Sequence, residues 1–246
     1  MEVKQIGCPS SNFREGRPGG HRPEAIVVHI MDGSFAAGES VFLDPATQKS
    51  AHYGISTAGE VHQYVDENDT AFHAGIVVRP QWQLLKPAVN PNFYTIGIEH
   101  AGRPDDIWPE AQLATSAALI GEIAVRWNIP VDDQHIVPHH FIRASKTCPG
   151  NWLDMNTLIR RVPQPRSPSP LSISTVRLLK NVNLRRGAPN IAAPILRVIP
   201  AGTQVKVAGY AIGQNVAGNS SWYVDSDWGY FWAGATDVPS PGTSNA

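Results

Sequence analysis

Cysteine is scarce in this sequence. Only Cys8 and Cys148 occur in 246 residues, too few for a disulfide framework. Surplus charge is absent too: 20 Lys and Arg stand against 21 Asp and Glu, a formal net charge of -1. Nucleic-acid affinity comes largely from neutralised phosphates, so this balance argues against such a partner. No apolar run approaches the roughly 20 residues of a membrane-spanning helix. The opening MEVKQIGCPSSNFREG has neither a basic start nor an apolar middle, so no secretory signal is expected. What is present is 42% hydrophobic and 17% charged residues, enough apolar content to bury a core. Nine histidines stand out against that background and point to metal binding or proton transfer.

The clearest boundary is PQPRSPSPLSIST, residues 163–175, where four prolines alternate with small polar residues. With no apolar periodicity it reads as an extended, semi-stiff linker. This divides the chain into a first domain at 1–162, the linker, a second domain at 176–238 and a frayed tail at 239–246. In the first domain AIVVHI, residues 25–30, is a nearly continuous apolar run that suits a strand buried on both faces. SAHYGIS and GEVHQYVD flank a turn at Gly59 and predict a hairpin. Tyr94 to Glu99 is a further β-rich run. A helix is predicted from about Pro109 to Asn128, where Leu113, Ala117, Ile120, Ala124 and Trp127 form one apolar stripe. A strand at 135–137 and a short helix at 153–161 complete an α/β domain with a mixed β-sheet flanked by helices. The second domain holds short strands and turns and predicts a small all-β barrel.

The chemistry concentrates at IVPHH, residues 136–140, and KTCPG, residues 146–150. A thiolate, imidazoles and a cation lie close together on a loop stiffened by proline and glycine. Zinc accepts sulfur and nitrogen ligands, and a catalytic site keeps one position for water. Cys148 and one histidine would supply two ligands, and His29, at the end of the buried run, is the best-placed third. Glu99 is a carboxylate in an apolar strand, costly there unless paired or functional. Tyr53, Trp82 and Trp108 are candidates to flank a groove.

Four stretches occur in order: AIVVHI; SAHYGISTAGEVHQYV followed by AFHAG; YTIGIEHAG; and IVPHHFIRASKTCPG. Together they resemble the zinc-dependent N-acetylmuramoyl-L-alanine amidase family, which includes phage lysozyme-type enzymes and peptidoglycan recognition proteins. The resemblance covers residues 25–161. It implies one Zn²⁺ per chain, with His29 and Cys148 as ligands. The second ligand is His139 or His140; His139 is favoured because it follows Pro138, where relatives commonly have glycine. Neighbours on a strand point to opposite faces, so only one is expected at the metal. Glu99 would be the catalytic acid–base group and Lys146 the cation beside the developing oxyanion. A tyrosine that serves the phage branch is replaced here by Ala51, which favours Glu99 for that role. His73, Ala74 and Gly75 would line the peptide-binding groove.

The implied activity is hydrolysis of the amide between N-acetylmuramic acid and L-alanine, on peptidoglycan or muropeptides. The alternative is a non-catalytic peptidoglycan-binding protein, although such relatives typically lack the cysteine ligand. NLRRGAP, PAGT, WY and WGYFW in the second domain resemble bacterial SH3-like modules that bind the cell wall. An endolysin-like enzyme released through a holin, or exported by a dedicated route, fits the expected lack of a signal. A cytoplasmic recycling enzyme fits it too.

Overall fold

The apolar run at residues 25–30 becomes an inner strand of a mixed sheet in the structure, a computed structural model that describes residues 1–163, 175–186, 189–225 and 229–239. The chain separates into two compact units, Met1–Pro163 and Gln164–Ala246. Most of the expected linker and tail lies outside the described residues.

The first unit runs β1 (Lys4–Gln5), β2 (Phe13–Arg14), β3 (Ala25–Ile30), α1 (Phe35–Leu43), β4 (Tyr53–Ile55) and β5 (Val61–Gln63). It continues with β6 (Thr70–Ala71), β7 (Thr95–His100), α2 (Glu110–Trp127), β8 (Ile136–Pro138) and α3 (Met155–Arg161). Six strands form one sheet in the order β1-β5-β4-β7-β3-β8. β3 lies parallel to β7 and β8, and β4 parallel to β7, whereas the β4–β5 hairpin is antiparallel. Gly59 turns that hairpin with φ +86°, a region that glycine adopts without steric cost.

The sequence dictates α2 closely. Pro109 sits just before the first turn, and Asn128 ends the helix in the left-handed region at φ 53°, ψ 48°, a common way of closing a helix. Its buried face includes Leu119, Ile120, Ile123 and Ala124. That face is wider than the predicted stripe, because the helix lies on a sheet rather than along one seam, and Leu113 is only partly buried. With Leu158 of α3, this face covers Ile26, Val28, Ile96 and Ile98. The opposite face of the sheet packs Val27 and Val137 with Trp82, Tyr94 and Ile142.

A charged strut ties distant segments of this unit together. The Arg17 guanidinium donates to the carbonyls of Glu67, Asn92, Phe93 and Thr95, satisfying acceptors that burial would otherwise make costly. The Glu67 carboxylate in turn accepts from Tyr53, Arg126 and Trp127.

The second unit is all-β. β9 (Thr175–Arg177), β10 (Val182–Arg186), β11 (Ile195–Ile199), β12 (Gln204–Val216), β13 (Asn219–Asp225) and β14 (Gly229–Trp232) form an antiparallel sheet in the order β11-β10-β14-β13-β12-β9. Leu184, Tyr223 and Phe231 fill one core, while Trp222 is buried in another and donates its indole N–H to the Gln214 carbonyl.

Candidate active site

Alternation along the strands builds the site. Ile26, Val28, Ile96 and Ile98 turn to the helix side, so His29 and Glu99, paired across β3 and β7, turn to the other. His139 opens the short 3-10 turn His139–Phe141 directly after β8, the other neighbour of β3. The loop after it returns Cys148. One donor atom from each of His29, His139 and Cys148 lies within 4.8 Å of the other two, and all three residues are buried. The two Nδ1 atoms are 3.0 Å apart. His140 is not part of this group: its Nδ1 donates to the Cys148 carbonyl at 2.8 Å and holds the loop.

Two nitrogens and a sulfur at this separation suit zinc, whose bonds to such donors run about 2.0–2.3 Å. Burial holds His29 well below its ordinary pKa, reinforced by His139 and His73, and burial lowers His139 to about 4. Both imidazoles are therefore neutral, as ligation requires. Burial and then Glu99 raise the Cys148 thiol; a bound cation would favour the thiolate instead.

Glu99 Oε1 lies 3.9 Å from His29 Nδ1, and its side chain is 16% exposed. Oε2 is buried and makes no hydrogen bond among the described residues. Burial pushes the carboxyl up to about 7, with Lys146 acting in the opposite direction. Such a group both takes and gives a proton near neutrality. A cleft of about 270 Å³ runs past these groups, its walls including Met31, Asp32, Phe42, Lys49, Glu99 and Lys146. Lys49 and Asp32 are cleft residues that no motif distinguished.

Of the three residues expected along the peptide groove, only Gly75 is exposed. His73 is buried behind the cluster, its Nδ1 3.0 Å from His29 Nε2. Ala74 is fully buried, and its carbonyl accepts from His139 Nε2 at 2.9 Å. Tyr53, Trp82 and Trp108 do not flank the cleft. Tyr53 bonds Glu67, Trp82 donates to the Gln134 carbonyl and stacks on Tyr94, and Trp108 packs at a tilt against His100. Burying their large apolar surface outweighs presenting it to a ligand.

His100 adds a pH dependence. It is fully buried between the His29 carbonyl and Ser116 Oγ, and burial lowers it to about 3. From pH 6.5 down to about 3 the unfolded chain binds a proton that the folded chain refuses. Stability therefore falls as pH falls through that window, by about 2 kcal/mol at pH 5 from this group alone. Thermal melts in chelator are expected to show a lower midpoint at pH 5 than at pH 7, with a smaller drop in His100→Gln. Equal drops in the two chains would assign the effect elsewhere.

Residues 19–151 match the family described as N-acetylmuramoyl-L-alanine amidase. A relative, N-acetylmuramoyl-L-alanine amidase A of Achromobacter lyticus, is 36% identical over 141 residues, spanning 52% of this chain and 70% of that protein. A crystal structure of a selenomethionine AmpD derivative superimposes with a TM-score of 0.55 at 24% identity, covering 66% of this chain and 96% of that one. The E. coli amidase AmiD, in complex with anhydro-N-acetylmuramic acid-L-Ala-D-γ-Glu-L-Lys, superimposes with a TM-score of 0.51 at 21% identity, covering 65% of this chain and 71% of that one. At these identities the two solved structures bear on the fold alone.

Proposed function

The chain belongs to the N-acetylmuramoyl-L-alanine amidase family, and from that premise we propose that it is a zinc-dependent hydrolase of the amide between N-acetylmuramic acid and L-alanine in bacterial peptidoglycan. The observation that carries the zinc requirement is the buried triplet of His29, His139 and Cys148 beside a Glu99 carboxylate oxygen that makes no hydrogen bond among the described residues. Zinc, when bound, supplies Lewis acidity that makes water nucleophilic near neutral pH and polarises a carbonyl.

The chain's own residues do the rest. Glu99 takes a proton from the attacking water as its oxygen adds to the amide carbon. It returns that proton to the nitrogen as the C–N bond breaks, leaving a muramic carboxylic acid and a free L-alanine amine. Lys146 lines the same cleft, where its charge lowers the energy of an oxyanion formed mainly in the transition state. The cleft walls from Met31 to Phe42 would hold the peptide stem, with Gly75 at an exposed turn. The all-β second unit, residues 176–238, serves in this reading as an SH3-like module that retains the enzyme on the wall. The chain would act on the wall after release or export.

Chelation by 1,10-phenanthroline is expected to abolish release of free amine from muropeptide, and stoichiometric Zn²⁺ to restore it. Cys148→Ser is expected to bind zinc weakly and lose activity with it. Full turnover by a chain shown to be metal-free would overturn the zinc requirement. Binding to sacculi with no amine released by the zinc-loaded parent would point to a non-catalytic wall-binding protein instead.

A further inference from the structure

A line of hydrogen bonds leads from a backbone carbonyl in the loop before β7 to the ligand face of His29. Thr95 Oγ1 lies 2.8 Å from the Pro91 carbonyl and 3.1 Å from His73 Nε2. His73 Nδ1 lies 3.0 Å from His29 Nε2. Each contact constrains the next. A carbonyl only accepts, and a threonine hydroxyl carries one proton. At 2.8 Å that proton must lie between Thr95 and Pro91; otherwise two oxygen lone pairs would face each other with no hydrogen between them. Thr95 Oγ1 then accepts from His73 Nε2, so the His73 proton is on Nε2 and its Nδ1 is a bare acceptor. His29 must accordingly donate from Nε2, which leaves the lone pair of its Nδ1 free. That Nδ1 is the atom 3.0 Å from His139 Nδ1. His139 reaches the same state more simply, because its Nε2 donates to the Ala74 carbonyl.

We propose that Thr95 is a positioning residue for the metal centre, fixing through His73 the tautomer of His29 so that Nδ1 presents its lone pair to the cation. This rests on the metal reading above and extends it to a residue two hydrogen bonds behind the ligand. The arrangement also accounts for two bare nitrogens held 3.0 Å apart inside a buried site. Without a cation between them they repel; with one they are ligands arranged in advance. The oriented outer partner of a ligating histidine is commonly a carboxylate or carbonyl, and losing it costs about 10–100-fold in metal affinity. Here that partner is another histidine, which could carry its proton on either nitrogen. A fixed hydroxyl removes the choice.

The test uses the full chain. Nitrogen-15 chemical shifts of the imidazoles in the metal-free parent are expected to report His73 and His29 both protonated at Nε2. Thr95→Val keeps the shape and removes the hydroxyl. It is expected to weaken zinc affinity about 10–100-fold in competition with a chromophoric chelator and to release His73 into a mixture of tautomers. Thr95→Ser restores the hydroxyl and is expected to recover parental affinity and shifts. A parent in which His73 is protonated at Nδ1 would overturn the proposal whether or not the valine variant folds. So would Thr95→Val with parental affinity and shifts. Because the shifts are read without metal, a parent that binds no zinc would overturn the metal reading, while the relay would stand or fall on its own tautomers.

Discussion

Glu99→Gln is expected to lower kcat for muropeptide hydrolysis by about 10²–10⁴-fold, the usual contribution of a positioned acid–base group, with zinc content unchanged. Glutamine has the shape of glutamate and cannot shuttle a proton. Glu99 is also expected to burden the metal-free fold. Its carboxyl is held at about 7, against 4.5 in an open chain, chiefly by burial. An acid whose folded pKa is raised supports the fold below pH 4.5 and loses that support as pH rises to about 7. At pH 7.5 the ionised group therefore costs about 2–3 kcal/mol, and its Oε2 has no hydrogen bond within the described residues to offset the cost. The glutamine variant should consequently melt higher than the parent in chelator at pH 7.5, with the difference shrinking toward pH 4.5. Higher stability together with lost turnover is the signature of a residue kept for chemistry. Parental kcat in Glu99→Gln would remove it from the mechanism.

The second large effect is expected at Gly97, in the middle of β7. A Cβ built there would lie 2.4 Å from His73 Cγ, 2.6 Å from Nδ1 and 2.8 Å from Cδ2, distances that real side chains do not tolerate. The ring has little freedom to retreat, since His29 and Thr95 hold its two nitrogens. Gly97→Ala must either displace the ring or spread β7 from β3, where Gly97 pairs with Val27. Overpacking of this kind typically costs about 1–3 kcal/mol, and more where neighbours are locked. Urea unfolding in chelator should show a loss of at least about 3 kcal/mol, and zinc affinity should fall with it. If Gly97→Ala unfolded at the parental midpoint and bound zinc as tightly, the close packing of His73 on the strand would be refuted.

Much of the fold was legible because the physics is local. The run AIVVHI has no polar residue before His29, and a strand buried on both faces needs that composition. The helix α2 announces itself by periodicity, a proline at its start and an asparagine at its end. Elements outside those patterns have weak local signals. α1 buries only Gly38 and Phe42, so no apolar stripe marks it, and β1, β2 and β6 are two residues each. Motif order brought His29 and Cys148 forward, while the choice between His139 and His140 depended on how the chain leaves β8. The resemblance points His73 toward the groove, whereas the structure places it behind His29. AFHAG carries no period from which a side-chain direction could be read, and the answer came from a glycine 24 residues away that opens room for the ring. Burial of Tyr53 and Trp127 against Glu67 was illegible for a similar reason, since the partners are far apart in the chain.

The family match spans residues 19–151, and the strut at Arg17 lies just outside it. A protein trimmed to those bounds would carry every candidate ligand and both candidate catalytic residues. It would nevertheless strand the carbonyls of Glu67, Asn92, Phe93 and Thr95 without their donor, and it would remove Leu158 and Val162 from beneath the sheet. Homology, in other words, delimits where the chemistry is written and not where the domain ends. The smallest autonomous piece of this enzyme should extend from ahead of Arg17 to Pro163.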